Sequence, residues 1–217
     1  MISDIPAFIR ANTRILSPPH TPEIRLHLAD DAVALWELTE ERLGELGLAP
    51  PFWAFAWAGG QALARYVLDH PETVRGRAVL DLASGSGLVA IAAMRAGAAR
   101  AVAADIDPFA AHAALLNAAM NDVTIDPITE DVIGAPRAEA VILVGDLFYE
   151  RDLAARLLAW LEARQRAGAL VLIGDPQRFY LPKQRLEKIA VYEVKTSRSL
   201  EDAEVKRTGV WTLSAGA

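Results

Sequence analysis

The chain has 217 residues, 53% of them apolar and 23% charged, which supplies a packed core and excludes global disorder. It contains no cysteine, which rules out a disulfide framework, a thiolate zinc site and a cysteine nucleophile. The formal charge of −6 argues against binding to nucleic acid phosphates, and it is uneven: residues 1–150 carry ten basic and twenty acidic side chains, residues 151–217 twelve and eight.

An acidic first part can attract a cationic ligand or a basic segment of a partner, and ordinary solvated helix faces account for it equally well. Uncharged apolar runs such as 88–94 and 140–144 fall far short of a membrane span. Asp4, Arg10 and Arg14 stand where the apolar part of a signal peptide would lie, so the expectation is a cytoplasmic protein with no membrane partner. No repeat or long linker divides the chain. We therefore expect one unit, an N-terminal extension over 1–51 packed on a core over 52–217.

In chain order, 5–15 reads as a short helix with Ser3 as N-cap, broken by Pro18, Pro19 and Pro22. Residues 24–28 alternate apolar and polar as a half-buried strand does. Residues 33–46 read as a helix, with Gly47 in the C-cap place. From Gly60 onward helices and apolar strands alternate, the pattern of a parallel sheet covered on both faces. A helix over 62–68 stops at Pro71, a strand covers 78–82, a helix 88–96, and a second strand 101–104. Asp107 and Pro108 give an N-cap and a first-turn proline for a helix running to Asn121. A weaker strand over 124–128 precedes a strong one over 140–144, then a helix over 153–166 and a strand over 169–173. Two strands, 189–194 and 208–213, follow with no helix between them. The predicted fold is α/β: a Rossmann-like, mostly parallel seven-stranded sheet closed by an antiparallel hairpin, as in methyltransferases. A plain dinucleotide-binding fold ends instead on a sixth parallel strand.

The sharpest local feature is Val79-Leu80-Asp81-Leu82-Ala83-Ser84-Gly85-Ser86-Gly87, a strand running into a glycine turn that opens a helix. Gly85 and Gly87 let the backbone turn tightly and come close to a ligand. Their spacing to Ala90 also fits the dinucleotide fingerprint, with Asp105 at the distance of a ribose contact. Asp81 separates the two readings. A pyrophosphate beside that carboxylate would be repelled, whereas S-adenosylmethionine offers an ammonium and a sulfonium and no phosphate. The structural alternative is a buried Asp81 that only caps loop amides. Ser84 and Ser86 of the loop are counted with the donor site. So is Asp105, which can accept both ribose hydroxyls, and Ile106 beside it. Of the two acids after the third core strand, Glu130 and Asp131, we assign Asp131 to the adenine amino group.

At the end of the fourth core strand stands Gly145-Asp146-Leu147-Phe148-Tyr149-Glu150, on the edge that lines the crevice of a wound sheet. A carboxylate followed by aromatics suits an amine acceptor, because Asp146 can orient the nitrogen while aromatic faces attract a cation and strip its water. The alternative is an ordinary helix cap with packed aromatics. Residues 174–178 make a turn by composition, and Asp175 and Arg178 within it can meet a substrate. Trp57 and Gly60 lie in an aromatic and glycine-rich stretch that serves either as a pocket wall or as core. The four histidines show no ligand spacing, so no metal is expected.

With these pieces assembled, the sequence resembles the class I seven-strand methyltransferases. Among them it is similar to the protein-lysine methyltransferases that modify the β subunit of electron transfer flavoprotein, also labelled nicotinamide-methyltransferase-like. The resemblance spans about three quarters of the chain, from Thr21 to Pro176. It rests on Phe52-Trp53-Ala54-Phe55-Ala56-Trp57-Ala58-Gly59-Gly60-Gln61-Ala62-Leu63, on the glycine loop, on Asp105-Ile106-Asp107-Pro108 and on Gly145-Asp146-Leu147-Phe148-Tyr149. It implies donor binding by Asp81, Gly85, Gly87 and Asp105 with Trp57 and Gly60 alongside, and an acceptor lysine served by Asp146 and Tyr149. The implied partner is the flavoprotein β subunit. One position departs: Ala58 stands where members often carry proline.

The expected reaction is in-line methyl transfer to a desolvated lysine amine. Asp146 favours the charged amine and an apolar wall of Phe148 and Tyr149 the neutral one, so Asp146 is assigned to binding and orientation, with water removing the proton. Methylation of a small amine, an NAD-linked oxidoreductase and a non-catalytic module of the same fold are the alternatives.

Overall fold

A computed structural model describes residues 2, 4–29, 50–196 and 203–214. The helix expected over 33–46, its cap Gly47 and the proposed cap Ser3 lie outside the described residues.

The first helix, α1 (Ile5–Asn12), is shorter than the sequence pattern implies and is capped by Asp4, whose side chain accepts from the Ala7 amide at 2.9 Å. Arg14–Leu16 (β1) then turns extended and pairs antiparallel with Leu26–Leu28 (β2). Ala58–Asp69 is α2, and it begins four residues earlier than the apolar pattern suggested. Ala58 is its first residue, the position where a proline is also well suited, so the departure from the family pattern leaves this helix start intact.

The core alternates Ala78–Leu82 (β3), Leu88–Arg95 (α3), Arg100–Asp105 (β4), Pro108–Met120 (α4), Asp126–Thr129 (β5), Val141–Gly145 (β6), Arg151–Arg166 (α5) and Leu170–Asp175 (β7). It closes with Leu186–Lys195 (β8) and Val205–Leu213 (β9), both longer than their apolar centres. The strands of the core and the closing hairpin form one seven-stranded sheet in the order β5-β4-β3-β6-β7-β9-β8, in which β9 alone runs antiparallel to the others. No helix follows β5: Gly134 and Pro136 interrupt the segment, and Trp160 and Arg164 of α5 bind the carbonyls of Ala135 and Arg137.

Alternation along the strands sorts the two faces. Val79, Ala101, Ala103, Val141 and Leu143 pack under α2, α3 and α4, while Leu80, Leu82, Ile142 and Val144 pack under α5. Asp81 shares the parity of Val79 and so faces the α2 and α3 side. The sheet grows outward from β3 in one direction and from β6 in the other. The carboxyl ends of those two strands therefore flank the switch point, where an open α/β sheet leaves a crevice.

Candidate active site

A pocket partly open to solvent lies at this switch point. Asp81, Ser84, Gly85 and Ser86 line it from β3 and its loop, Trp57 and Gly60 from the start of α2, and Gly145 and Asp146 from the end of β6. Residues assigned from sequence to donor and acceptor thus meet in one cavity.

On the loop side, Asp81 is buried and its Oδ2 accepts the Ala90 amide at 2.9 Å, near the start of α3. It therefore caps a helix and lines the pocket together. Burial, with a smaller contribution from the Asp105 charge, pushes its carboxyl up to about 7. Ser84 is buried too, and its Oγ has no hydrogen-bond partner among the described residues. Gly87 sits at φ 77°, and a Cβ there would come within 2.8 Å of Ala114, so only glycine joins this loop to α3 under α4.

Asp105 accepts the Gly85 amide on Oδ2 at 2.9 Å and the Asp107 amide on Oδ1 at 3.0 Å, and burial raises its pKa. The Ile106 amide bonds the same carboxylate, and of its roughly four acceptor sites one stays open to a ligand hydroxyl. Ile106 beside it is 74% exposed, an apolar side chain presented to solvent at the edge of the loop. Asp107 caps α4 through the Phe109 amide, as expected.

Asp131 follows β5, as the sequence places it. It is exposed, its Oδ1 accepts the Ile133 amide at 3.0 Å, and its Oδ2 pairs with Arg156 at 2.5 Å. It does not line the pocket.

At the end of β6, Asp146 is buried and adopts a left-handed backbone, φ 56°, which a non-glycine residue keeps only when its surroundings hold it there. Its Oδ2 accepts the Gly60 amide at 2.9 Å, and its Oδ1 accepts Arg178 Nε at 3.2 Å and Nη2 at 2.7 Å. The Arg178 guanidinium also lies 5.6 Å from the centre of the Trp57 ring. Asp175 is fully buried; its Oδ1 accepts the Arg178 amide at 2.7 Å, and its Oδ2 has no partner among the described residues. Burial and then the charge of Asp146 push its carboxyl up to about 7. Asp175 thus builds the turn that presents Arg178.

Tyr149 is half exposed, and burial together with the carboxylates of Glu150 and Asp105 holds its phenol above the usual range. Phe148 corrects the expected aromatic wall. Its side chain is completely buried among the residues under α5, including Leu80 and Leu157, on the opposite side of the sheet from Asp81. It is a core residue. Tyr149 does not line the pocket either, but it lies near enough to Asp105 to feel its charge.

Three features escaped the sequence reading. Gly59 and Gly174 cross so closely that a Cβ on either would strike the other's carbonyl oxygen, and one on Gly59 would also lie 2.5 Å from Asp146 Oδ2. Arg178 pairs with Asp146 across 32 residues, which spacing does not reveal. Asn117 is fully buried on α4, donating to the Ser86 carbonyl at 2.8 Å and accepting from the His27 amide at 2.7 Å. A lone polar residue on the apolar face of a helix was the available signal.

The arrangement suits a small cationic cofactor: an acidic, glycine-lined cavity with an unpaired hydroxyl and no basic residue on its glycine loop. No group of histidine and carboxylate side chains among the described residues is arranged to hold a metal ion. No helix among them is long and apolar enough to cross a membrane.

Comparison with known proteins agrees with the geometry. Residues 61–144 match the family model of ribosomal protein L11 methyltransferase (PrmA). The electron transfer flavoprotein beta subunit lysine methyltransferase of Xenopus laevis is 39% identical over 95% of this chain and 86% of its own length. Among solved structures, the ribosomal protein L11 methylase of Lactobacillus delbrueckii subsp. bulgaricus is 20% identical over 77% of this chain and 81% of its own, with a TM-score of 0.54. Magnesium protoporphyrin IX methyltransferase from Synechocystis PCC 6803, solved with bound SAM, is 15% identical over 72% and 80%, also at 0.54. These two structures share the fold.

Proposed function

This chain belongs to the electron transfer flavoprotein β-subunit lysine methyltransferase family, and from that premise we propose that it transfers a methyl group from S-adenosylmethionine to a lysine of the flavoprotein's β subunit. The observation that carries the reading is a single pocket lined by Asp81 and Gly85 on the donor side and by Asp146 on the acceptor side.

Asp81 and Ser84 meet the ammonium end of the donor, Asp105 its ribose, and Trp57 and Gly60 close the wall beside it. Asp146 receives the lysine, and the half-exposed Tyr149 covers its apolar stem. Asp131 lies outside this pocket, bound to Arg156 and to its own turn, and the second lone pair on each of its oxygens can accept from the adenine amino group. The bound donor supplies an electrophilic methyl: the neutral lysine nitrogen takes it as the carbon–sulfur bond breaks with its electron pair left on sulfur, and the methylated ammonium then releases a proton to water. Positioning does most of the work, because nitrogen and methyl must be aligned at roughly 3–3.5 Å.

The test is transfer from labelled S-adenosylmethionine into purified electron transfer flavoprotein and into a soluble lysate, beside an Asp146→Ala control. Label mapped to a lysine of the β subunit and lost in the control is expected, with donor affinity within about threefold of wild type. Label confined to another protein overturns the named acceptor. Label found only on small amines overturns a protein acceptor altogether.

A further inference from the structure

A carboxylate at the acceptor site creates a chemical problem. Free lysine has a pKa of about 10.4, and an opposite charge within about 4–6 Å raises an amine further by roughly 1–3 units. An unpaired Asp146 would hold the substrate in its unreactive ammonium form. The structure contains the counterweight. Arg178 gives Asp146 Oδ1 two charge-assisted hydrogen bonds, from Nε and Nη2, while Gly60 takes the other oxygen. The guanidinium is itself placed with care: Asp175 binds its backbone amide, Gln177 before it holds a left-handed φ of 71°, and the Trp57 ring lies beneath it. Two non-glycine residues in the left-handed region thus belong to this pairing: Asp146 as its carboxylate and Gln177 as the neighbour of Arg178.

We propose that Arg178 is a positioning residue that sets the charge of the acceptor carboxylate, so that Asp146 orients the incoming lysine as a neutral amine and does not fix it as an ammonium. This rests on the lysine-acceptor reading above. The guanidinium acts through Asp146 in two ways. It offsets the negative charge that would stabilise the ammonium, and it adds a permanent positive charge that disfavours a second cation. Before transfer the lysine proton leaves to water, and the lone pair so exposed forms the new bond to carbon.

The other charged groups around the site shape the pH response. Asp175 comes from the same turn as Arg178, and Asp81 lies across the pocket on β3. Tyr149 and Glu150 follow on the loop of Asp146, with Asp105 facing Tyr149 from β4. From α2 the site receives the Gly60 amide and the Trp57 ring, neither of which titrates in this range.

The experiment compares wild type with Arg178→Gln and Arg178→Lys, measuring kcat and KM for the flavoprotein β subunit from pH 6.5 to 9.5. Affinity for S-adenosylhomocysteine, by calorimetry, reports on the folded donor site. For Arg178→Gln at pH 7, kcat should fall about tenfold or more while KM for the protein stays level or drops, because an unpaired Asp146 grips the ammonium. The deficit should close as pH rises, moving the acid limb of the profile up by about one unit or more. Arg178→Lys, which keeps the positive charge, should retain most of the wild-type profile. Product affinity should stay within about threefold in both variants.

Equal loss at every pH, a raised KM with unchanged kcat, or collapse of product affinity in both variants would each overturn the inference. Faster turnover at pH 7 would do so as well, showing that the guanidinium merely obstructs the site. If wild type leaves the flavoprotein unlabelled, the named acceptor falls separately. The same series is then run on the protein that wild type labels in a lysate, or on n-butylamine. Failure of wild type to methylate any amine overturns both readings.

Discussion

The buried side-chain amide of Asn117 donates to the carbonyl of Ser86 at 2.8 Å, tying the glycine loop to α4. Its oxygen accepts the His27 amide, so one side chain joins the glycine loop, a core helix and the N-terminal strand pair. Replacing it with Ala leaves a buried carbonyl and an amide without partners, at about 1–3 kcal/mol each. Asn117→Ala should lower Tm by at least roughly 4 °C, at 2–4 °C per kcal/mol for a chain of this size, and should weaken donor affinity. Calorimetric melting and donor titration check both.

The neighbouring glycines of α2 should behave in opposite ways. A Cβ on Gly59 collides with the Gly174 carbonyl and Asp146, whereas one on Gly60 meets only Val89, at 4.0 Å. Gly59→Ala forces backbone against backbone and should cost more than about 3 kcal/mol, with little folded protein recovered. Gly60→Ala should fold at least as stably as wild type, since Ala is preferred over Gly in a helix by about 1 kcal/mol. It adds a methyl to the pocket wall, so its donor affinity should drop. Soluble yield, melting temperature and donor titration separate the two.

Asp81 couples stability to pH. Its folded pKa of about 7 lies above the unfolded carboxylate value, so the native state holds a proton that the unfolded chain has released. The associated stability is complete below about pH 4 and is lost as pH rises through about 7. Ligand-free Asp81→Asn, which cannot ionise, should therefore lose less stability than wild type between pH 5 and 8. Donor affinity should run the other way. In wild type it should tighten as Asp81 ionises between pH 6 and 8, and in Asp81→Asn it should be weak and flat. Urea unfolding and donor titration across this range test both halves; parallel behaviour of the two proteins would refute them.

Phe148 gives a prediction of a different kind. Its side chain fills the core under α5, so Phe148→Ala should cost about 3–5 kcal/mol through the cavity it leaves. Phe148→Leu keeps most of the volume and should preserve KM for the acceptor. A raised KM in a stable Phe148→Leu enzyme would return this ring to the acceptor site.

What the sequence determined was local and periodic. Strands β3, β4, β6 and β7 are continuous apolar runs, and burial on both faces allows little else, so their places were legible within a residue or two. The glycine loop was equally legible, because positive φ and close approach restrict residue type at Gly85 and Gly87. The cap of α4 is a local hydrogen bond and was read correctly at Asp107. The adjacency of Asp146 to the glycine loop followed from topology, since both stand at the carboxyl ends of strands flanking the switch point.

Only the tertiary structure decided how side chains were used. Phe148 and Tyr149 are adjacent in the same motif, yet one is buried in the core under α5 and the other half exposed. Asp131 follows β5 as its place in the chain requires, and its pairing with Arg156 on α5, 25 residues away, had no local signal. Arg178 had no local pattern to distinguish it from an ordinary turn residue. Its pairing with Asp146 exists because β6 and β7 lie side by side and Gly59 and Gly174 let α2 press onto their ends. Periodicity reports which face of its own element a residue occupies; the charge a carboxylate presents to a substrate depends on what the rest of the chain brings beside it.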